Sequence, residues 1–229
     1  HRNETKTVHL HMGEYAELRK MAIELPGDQP LWVERTTLPD GATRAAVVLI
    51  HGFAQNRFSW DTEIRSMSGW LAAQGWDVWN LELRGHGRSR RRGGAMATTF
   101  DNYPDDLLRL ADAMPHQAFW VGHSLGASVA YAAVAKRPEQ PPTRGVVGIA
   151  GLYRFGQAGW ILPFVSRVTR KIPLNLNVGD IQVHTGLSGQ LLSRLFPFMD
   201  MAAYGMPIAG WWPGSVEPEL AKERMRRGF

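Results

Sequence analysis

A chain of 229 residues with net charge +5, 44% hydrophobic and 21% charged residues has the make-up of one large globular domain, or one domain carrying an insertion, with a sizeable core. It has no cysteine, which excludes disulfides, thiolate metal sites and cysteine nucleophiles. No apolar run reaches the roughly 18 residues that cross a bilayer, and His1 to Met12 carry charges without the continuous apolar stretch of a signal peptide. A cytoplasmic location is therefore the expectation.

In chain order, residues 6–11 and 31–36 alternate in polarity, predicting two early strands around the Pro26-Gly27-Asp28 turn. Ala45 to Ile50 is a continuous apolar run that reads as a buried strand feeding the tight loop His51-Gly52-Phe53. Thr62 to Gln74 has helical spacing, with Ile64, Met67, Trp70 and Leu71 on one face and Gly75 at the carboxyl end. Trp76 to Leu81 is a second buried strand. It leads into the basic segment Arg84 to Arg92, which could attract a phosphate or an acidic membrane surface. Without aromatic interleaving that segment reads as a solvated loop, and no nucleic-acid partner is expected. Residues 104–114 predict a helix with Pro104 in its first turn and acids near its start.

The most informative segment follows. The short apolar run Ala118-Phe119-Trp120-Val121 ends at Gly122-His123-Ser124-Leu125-Gly126, and the helix-like run Ala127 to Ala135 comes next. A G-x-S-x-G between a strand and a helix is the context of a nucleophile elbow, in which a strained serine is lifted clear of the sheet. Gly122 and Gly126 are expected where bulkier neighbours would collide, and His123 sits beside the chemistry without a role of its own. The backbone N–H of Leu125, at the helix start, and that of Phe53 are the candidate pair of oxyanion donors. His51 and Gly52 shape the loop that carries Phe53, and His51 reads as a histidine that ties this loop down. Val146 to Ala150 is a further core strand. Strand–helix alternation of this kind predicts a mostly parallel sheet with helices on both faces, and chemistry at the carboxyl ends of its strands.

These segments as a set resemble the α/β-hydrolase superfamily. Val47 to Phe53 is similar to its oxyanion segment, Gly122 to Gly126 to its elbow, and Leu83-Arg84-Gly85-His86-Gly87-Arg88-Ser89 to the loop after its fourth strand. Gly75-Trp-Asp-Val-Trp79, with Arg84-Gly85 and Ser89-Arg90-Arg91, is also similar to the acid-lipase branch. The resemblance covers residues 30–152 and implies a serine hydrolase of the esterase or lipase kind, needing no cofactor and no metal. It divides the chain into a core, 1–152, and a helical lid or cap, 153–229. Trp160, Phe164, Leu191, Phe196, Trp211 and Trp212 in that second part favour an apolar acyl group, although packing of the lid on itself would use them equally.

The family order Ser, then Asp or Glu, then His has one match after Ser124, in Asp180 and His184. Only four residues separate them, too few to reach two different strand ends. The last strands of the fold are accordingly expected to be missing from these 229 residues. The chain then reads as a fragment, or as a degenerate homologue that binds without catalysing, and negligible turnover is expected of it alone. Thioesterase and acyltransferase activities share the same motifs. The oligomeric state stays open, as does the choice between these alternatives.

Overall fold

The computed structural model describes residues 5–8, 17–53, 55–89, 100–151 and Glu223. Seven strands form one sheet: β1 (Thr5–Val8), β2 (Leu18–Leu25), β3 (Leu31–Thr37), β4 (Ala46–Ile50), β5 (Asp77–Leu81), β6 (Ala118–His123) and β7 (Gly145–Ile149). Their order across the sheet is β1-β2-β3-β5-β4-β6-β7. β1, β2 and β3 pair antiparallel, and β3 pairs antiparallel with β5. From β5 through β4 and β6 to β7 every pairing is parallel. β2 and these four thus run in one direction, with β1 and β3 against them.

The helices are α1 (Met67–Ala73), α2 (Asn102–Ala113) and α3 (Leu125–Ala135). α2 and α3 cover one face, where Leu107, Leu110, Val129, Ala130 and Ala133 pack on Val48, Ile50, Leu81 and Trp120. α1 covers the other, where Ala72 packs with Val47, Leu49 and Val78. β4 is buried throughout because it lies between both layers, which is why its sequence is unbroken Ala-Val-Val-Leu-Ile. Each fully buried Leu, Ile or Val here stabilises the fold by about 1.5–3 kcal/mol. On the far side β7 is the outer strand among the described residues, with Val147 and Ile149 exposed.

Three expectations need correction. The strand that enters the Pro26-Gly27-Asp28 turn is β2, not residues 6–11, and β2 and β3 pair in register from Leu25↔Leu31 to Arg19↔Thr37. β2 lacks an alternating signature because most of its residues are half-buried, whichever face they lie on. The second correction concerns α1, which starts at Met67 with Ser66 capping the N–H of Gly69. Its inward face is Ser68, Gly69 and Ala72, whereas Ile64, Met67 and Trp70 are exposed. Small residues lie inward because the helix packs close on the sheet; of the predicted face Leu71 alone packs against the core, half-buried, and the other three point out. Gly75 does follow the helix end, with φ +88°.

The third correction is Arg84. Instead of opening a solvated loop it is buried, with its guanidinium forked on Asp106 (2.7 and 2.8 Å) and on Asp28 (3.0 and 3.2 Å). Arg88 lies over the ring of Trp32, and buried Glu82 accepts from both Arg57 and the backbone N–H of Arg88. The start of the basic segment is therefore a turn organised around buried carboxylates. Nearly all of the proposed lid, 153–229, lies outside the described residues. Glu223 is the exception: it is helical and buried, and its carboxylate accepts from the N–H groups of Glu63 (2.7 Å) and Ile64 (3.3 Å).

Candidate active site

β4 and β6 are parallel neighbours in which Ile50 lies level with Gly122. The residues that leave their carboxyl ends, 51–53 and 123–125, therefore emerge side by side. This is how candidates 72 positions apart in sequence come to share one edge of the sheet.

Ser124 stands between β6 and α3 with φ 49° and ψ −112°, a combination that L-residues rarely adopt. Its N–H donates to the carbonyl of Ile149 (2.8 Å), and its carbonyl accepts from Ala127 (3.1 Å) and Ser128 (3.2 Å). The turn is thus held by β7 on one side and by the first turn of α3 on the other. A Cβ on Gly122 would lie 2.5 Å from the backbone of Gly126 and Ala127. A Cβ on Gly126 would strike the carbonyl of Ile50 and come within 2.7 Å of that of His51. Both glycines are required by backbone contact, as the motif predicts, and Gly126 locks the elbow against the end of β4.

The loop after β4 is organised by Gln55, which the sequence reading did not single out. Its Oε1 accepts from the N–H of Gly52 (3.0 Å), the hydroxyl of Ser59 (3.1 Å) and Nδ1 of His123 (3.2 Å). One amide oxygen thereby ties the loop after β4 to the turn at Ser124 through His123. A polar residue three places after a glycine carries no signal strong enough to reveal this in advance. A Cβ on Gly52 would sit 2.8 Å from His123 Nδ1, so the two segments touch. Among the described residues, the N–H groups of Phe53 and Leu125 make no hydrogen bond. The Phe53 side chain is half exposed and meets the edge of the His86 ring at 6.1 Å.

His51 is fully buried. Its Nδ1 donates to the carbonyl of Gly52 (2.8 Å), and its Nε2 accepts from the N–H of Leu83 (3.0 Å). Both ring nitrogens are committed to neutral-imidazole bonds. Burial, and then the neighbouring His86, push its pKa well below the ordinary value. His86 is also fully buried, and its Nδ1 donates to the carbonyl of Arg84 (2.9 Å). Burial lowers it to about 4. The two rings stand 5.0 Å apart, with Tyr103 beyond His86 at 6.3 Å. They form a neutral aromatic prop beneath the loop. Among the described residues no histidine is hydrogen-bonded to Ser124.

The structure thus brings together Ser124, Leu125, Gly122, His123 and Gly126 with His51, Gly52 and Phe53. Asp180 and His184 lie outside the described residues. No group of three or more His, Cys, Asp or Glu side chains among the described residues could hold a metal, and no helix there is long and apolar enough to cross a membrane.

The chain is similar to several known proteins. Epoxide hydrolase B of Mycobacterium tuberculosis is 34% identical over 105 residues, 45% of this chain and 28% of that enzyme. A pimeloyl-(acyl-carrier protein) methyl ester esterase of Aliivibrio fischeri is 32% identical over 115 residues, 50% of this chain and 40% of its own length. The chain spans well under half the length of either relative. Among solved structures, a thioesterase domain from the curacin biosynthetic pathway superposes with a TM-score of 0.57 at 17% identity, over 91% of this chain and 65% of that one. A carboxylesterase structure from Nitrososphaera gargenis gives 0.55 at 20% identity, over 88% and 65%. At such identities these two share the fold alone. The sequence model of the alpha/beta hydrolase family matches residues 47–222, from β4 through the turn at Ser124 and far beyond it, and the chain belongs to that family.

Proposed function

We propose that this chain carries the nucleophile and oxyanion half of a serine hydrolase that cleaves carboxylic esters, with a preference for apolar acyl groups. The observation that carries the reading is the backbone of Ser124, φ 49° and ψ −112°, between two glycines that nothing larger can replace. Strain of this kind costs about 1–3 kcal/mol and persists where the surroundings enforce it. In the proposed reaction Ser124 Oγ attacks the ester carbonyl, and the N–H groups of Phe53 and Leu125 receive the developing oxyanion. The alcohol leaves, and water then hydrolyses the acyl-serine. The exposed Phe53 ring offers an apolar wall for the acyl chain.

A base must take the serine proton. His51 and His86 are poor choices, since both are buried and held neutral in bonds away from Ser124. The base is therefore assigned to residues outside the described ones. His184 with Asp180 is the candidate pair after Ser124, and their four-residue separation argues against it.

The relatives raise a second reading, epoxide hydrolysis. The chemistry of a serine favours the ester reading. A serine that opened an epoxide would be left as an alkyl ether, which water does not readily cleave. A serine acylated by an ester is left as an ester, which it does.

A fluorophosphonate probe tests the proposal. Labelling at Ser124 that disappears in Ser124→Ala supports it, and an unlabelled wild type would sink it in favour of a binding protein with the same fold. Turnover of p-nitrophenyl esters of graded chain length, beside styrene oxide, then separates the two chemistries. Unchanged labelling in His184→Gln would place the base elsewhere.

A further inference from the structure

At the opposite end of the sheet, the amino ends of the parallel strands border a crevice of about 490 Å³. Its walls are built from residues at the start of β4 (Ala46), at the start of β5 (Asp77) and just before β6 (Gln117) and β7 (Arg144), together with Arg35 of β3. Three guanidiniums, Arg35, Arg44 and Arg144, and one carboxylate, Asp77, line it, with the exposed imidazole of His116.

These charges are not equivalent. Arg35 is forked on Asp77, Nε to Oδ1 at 2.7 Å and Nη2 to Oδ2 at 3.0 Å, with its guanidinium over the Trp79 ring. That pair neutralises itself, and Asp77 has both oxygens engaged. Arg44 and Arg144 have no carboxylate partner among the described residues. Two positive charges are left in a crevice whose other walls include alanines and a proline.

Both arginines spring from fixed backbone. The N–H of Arg44 donates to Gly75 (2.8 Å), and that of Arg144 to Ala118 (3.0 Å). Arg144 also lies over the Phe119 ring at 5.4 Å. In register, Arg144 is level with Ala118, which faces Ala46. Ala46 and Arg144 thus lie two strand spacings apart, about 10 Å, and Arg44 starts two residues before Ala46, a separation that two long side chains reaching inward can span around one tetrahedral anion.

We infer that the Arg44–Arg144 crevice binds a phosphomonoester, on a site separate from Ser124 and independent of its chemistry. A phosphomonoester carries nearly two negative charges at neutral pH and matches the two uncompensated guanidiniums, whereas a carboxylate supplies one. The phosphate could belong to a soluble metabolite or to a phosphomonoester lipid headgroup, and the crevice chemistry is the same for both.

Isothermal titration of the full chain with phenyl phosphate, and flotation with phosphatidylcholine vesicles with and without phosphatidic acid, test this. Saturable binding of phenyl phosphate, or binding to the phosphatidic-acid vesicles alone, supports the site and identifies the source. Benzoate should bind at least about tenfold more weakly than phenyl phosphate, and Arg44→Gln with Arg144→Gln should weaken phosphate binding by about tenfold or more. Both arginine side chains are exposed, so the double variant should fold with an unchanged melting temperature and unchanged Ser124 labelling. Equal binding by the double variant, no preference for phosphate over benzoate, or no binding in either assay would overturn the inference.

Discussion

The backbone N–H of Leu83 donates to Nε2 of His51 across 3.0 Å, joining the segment after β5 to the first residue beyond β4. Through Nδ1 the same ring holds the carbonyl of Gly52. His51→Ala would leave a buried donor and a buried acceptor unpaired, each costing about 1–3 kcal/mol. We expect a loss of about 3 kcal/mol in urea denaturation, with slower labelling of Ser124. A loss within experimental error would mean that the loop is held by other contacts.

Gly126 and Gly145 make a matched pair of tests. An alanine at 126 would drive its Cβ into the Ile50 and His51 carbonyls, which are backbone and cannot swing aside. It should destabilise the chain by about 3 kcal/mol. At 145 the added Cβ meets only the Phe119 ring, 3.4 Å away, and Gly145→Ala should stay within about 1 kcal/mol of wild type. Equal melting temperatures for the two variants would contradict the packing described.

Ser124 itself should be a stability cost. Ser124→Gly relieves the positive φ and forfeits no side-chain cap, since Ser124 makes none. Set against the entropy of an added glycine, the net expectation is a gain of about 1 kcal/mol together with complete loss of probe labelling. A destabilised glycine variant would show that the backbone there is not strained.

Acid should weaken the fold through the paired histidines. Burial holds His86 at about 4 against an ordinary 6.5, and shifts His51 in the same direction. Between those two values the unfolded chain binds a proton that the native one does not, so stability falls as pH drops through the window. From pH 7 to pH 5 the His86 contribution alone is about 2 kcal/mol. Urea midpoints measured across that range should decline steeply for wild type and less steeply for His86→Asn; parallel slopes would rule the histidine out as the cause.

The two carboxylates on Arg84 should differ sharply in worth. Asp106 is buried, and Asp106→Ala strips a buried guanidinium of its closer partner, costing about 3 kcal/mol. The Asp28 side chain is 56% exposed, and Asp28→Ala should cost less than about 1 kcal/mol. Similar losses would mean that the guanidinium leans equally on both.

The readable parts of the chain were those in which one physical demand dominates. Ala46–Ile50 is buried on both sides and shows it as an unbroken apolar run, and the elbow shows its crowding as two glycines around Ser124. Where demands compete, the pattern blurs. β2 lies between two antiparallel neighbours with most of its residues half-buried, so no alternation marks it. α1 packs close to the sheet through Ser68, Gly69 and Ala72, and the bulkier Ile64, Met67 and Trp70 imitate a core face while facing out. Arg84 and Gln55 were illegible for another reason: their partners, Asp28, Asp106 and His123, lie 22 to 68 positions away and meet them only in three dimensions.

The carboxylate of Glu223 closes onto Glu63 and Ile64 across some 160 positions of sequence. During synthesis those two N–H groups have no such acceptor until residue 223 has left the ribosome. At about 5–20 residues per second that interval is roughly 8–30 seconds. The loop ahead of α1 is therefore finished late, well after β4, β5 and β6 can have paired. Chains stalled before Glu223 should carry that loop open, and a protease that cuts near residues 61–66 of nascent chains would report the moment it shuts.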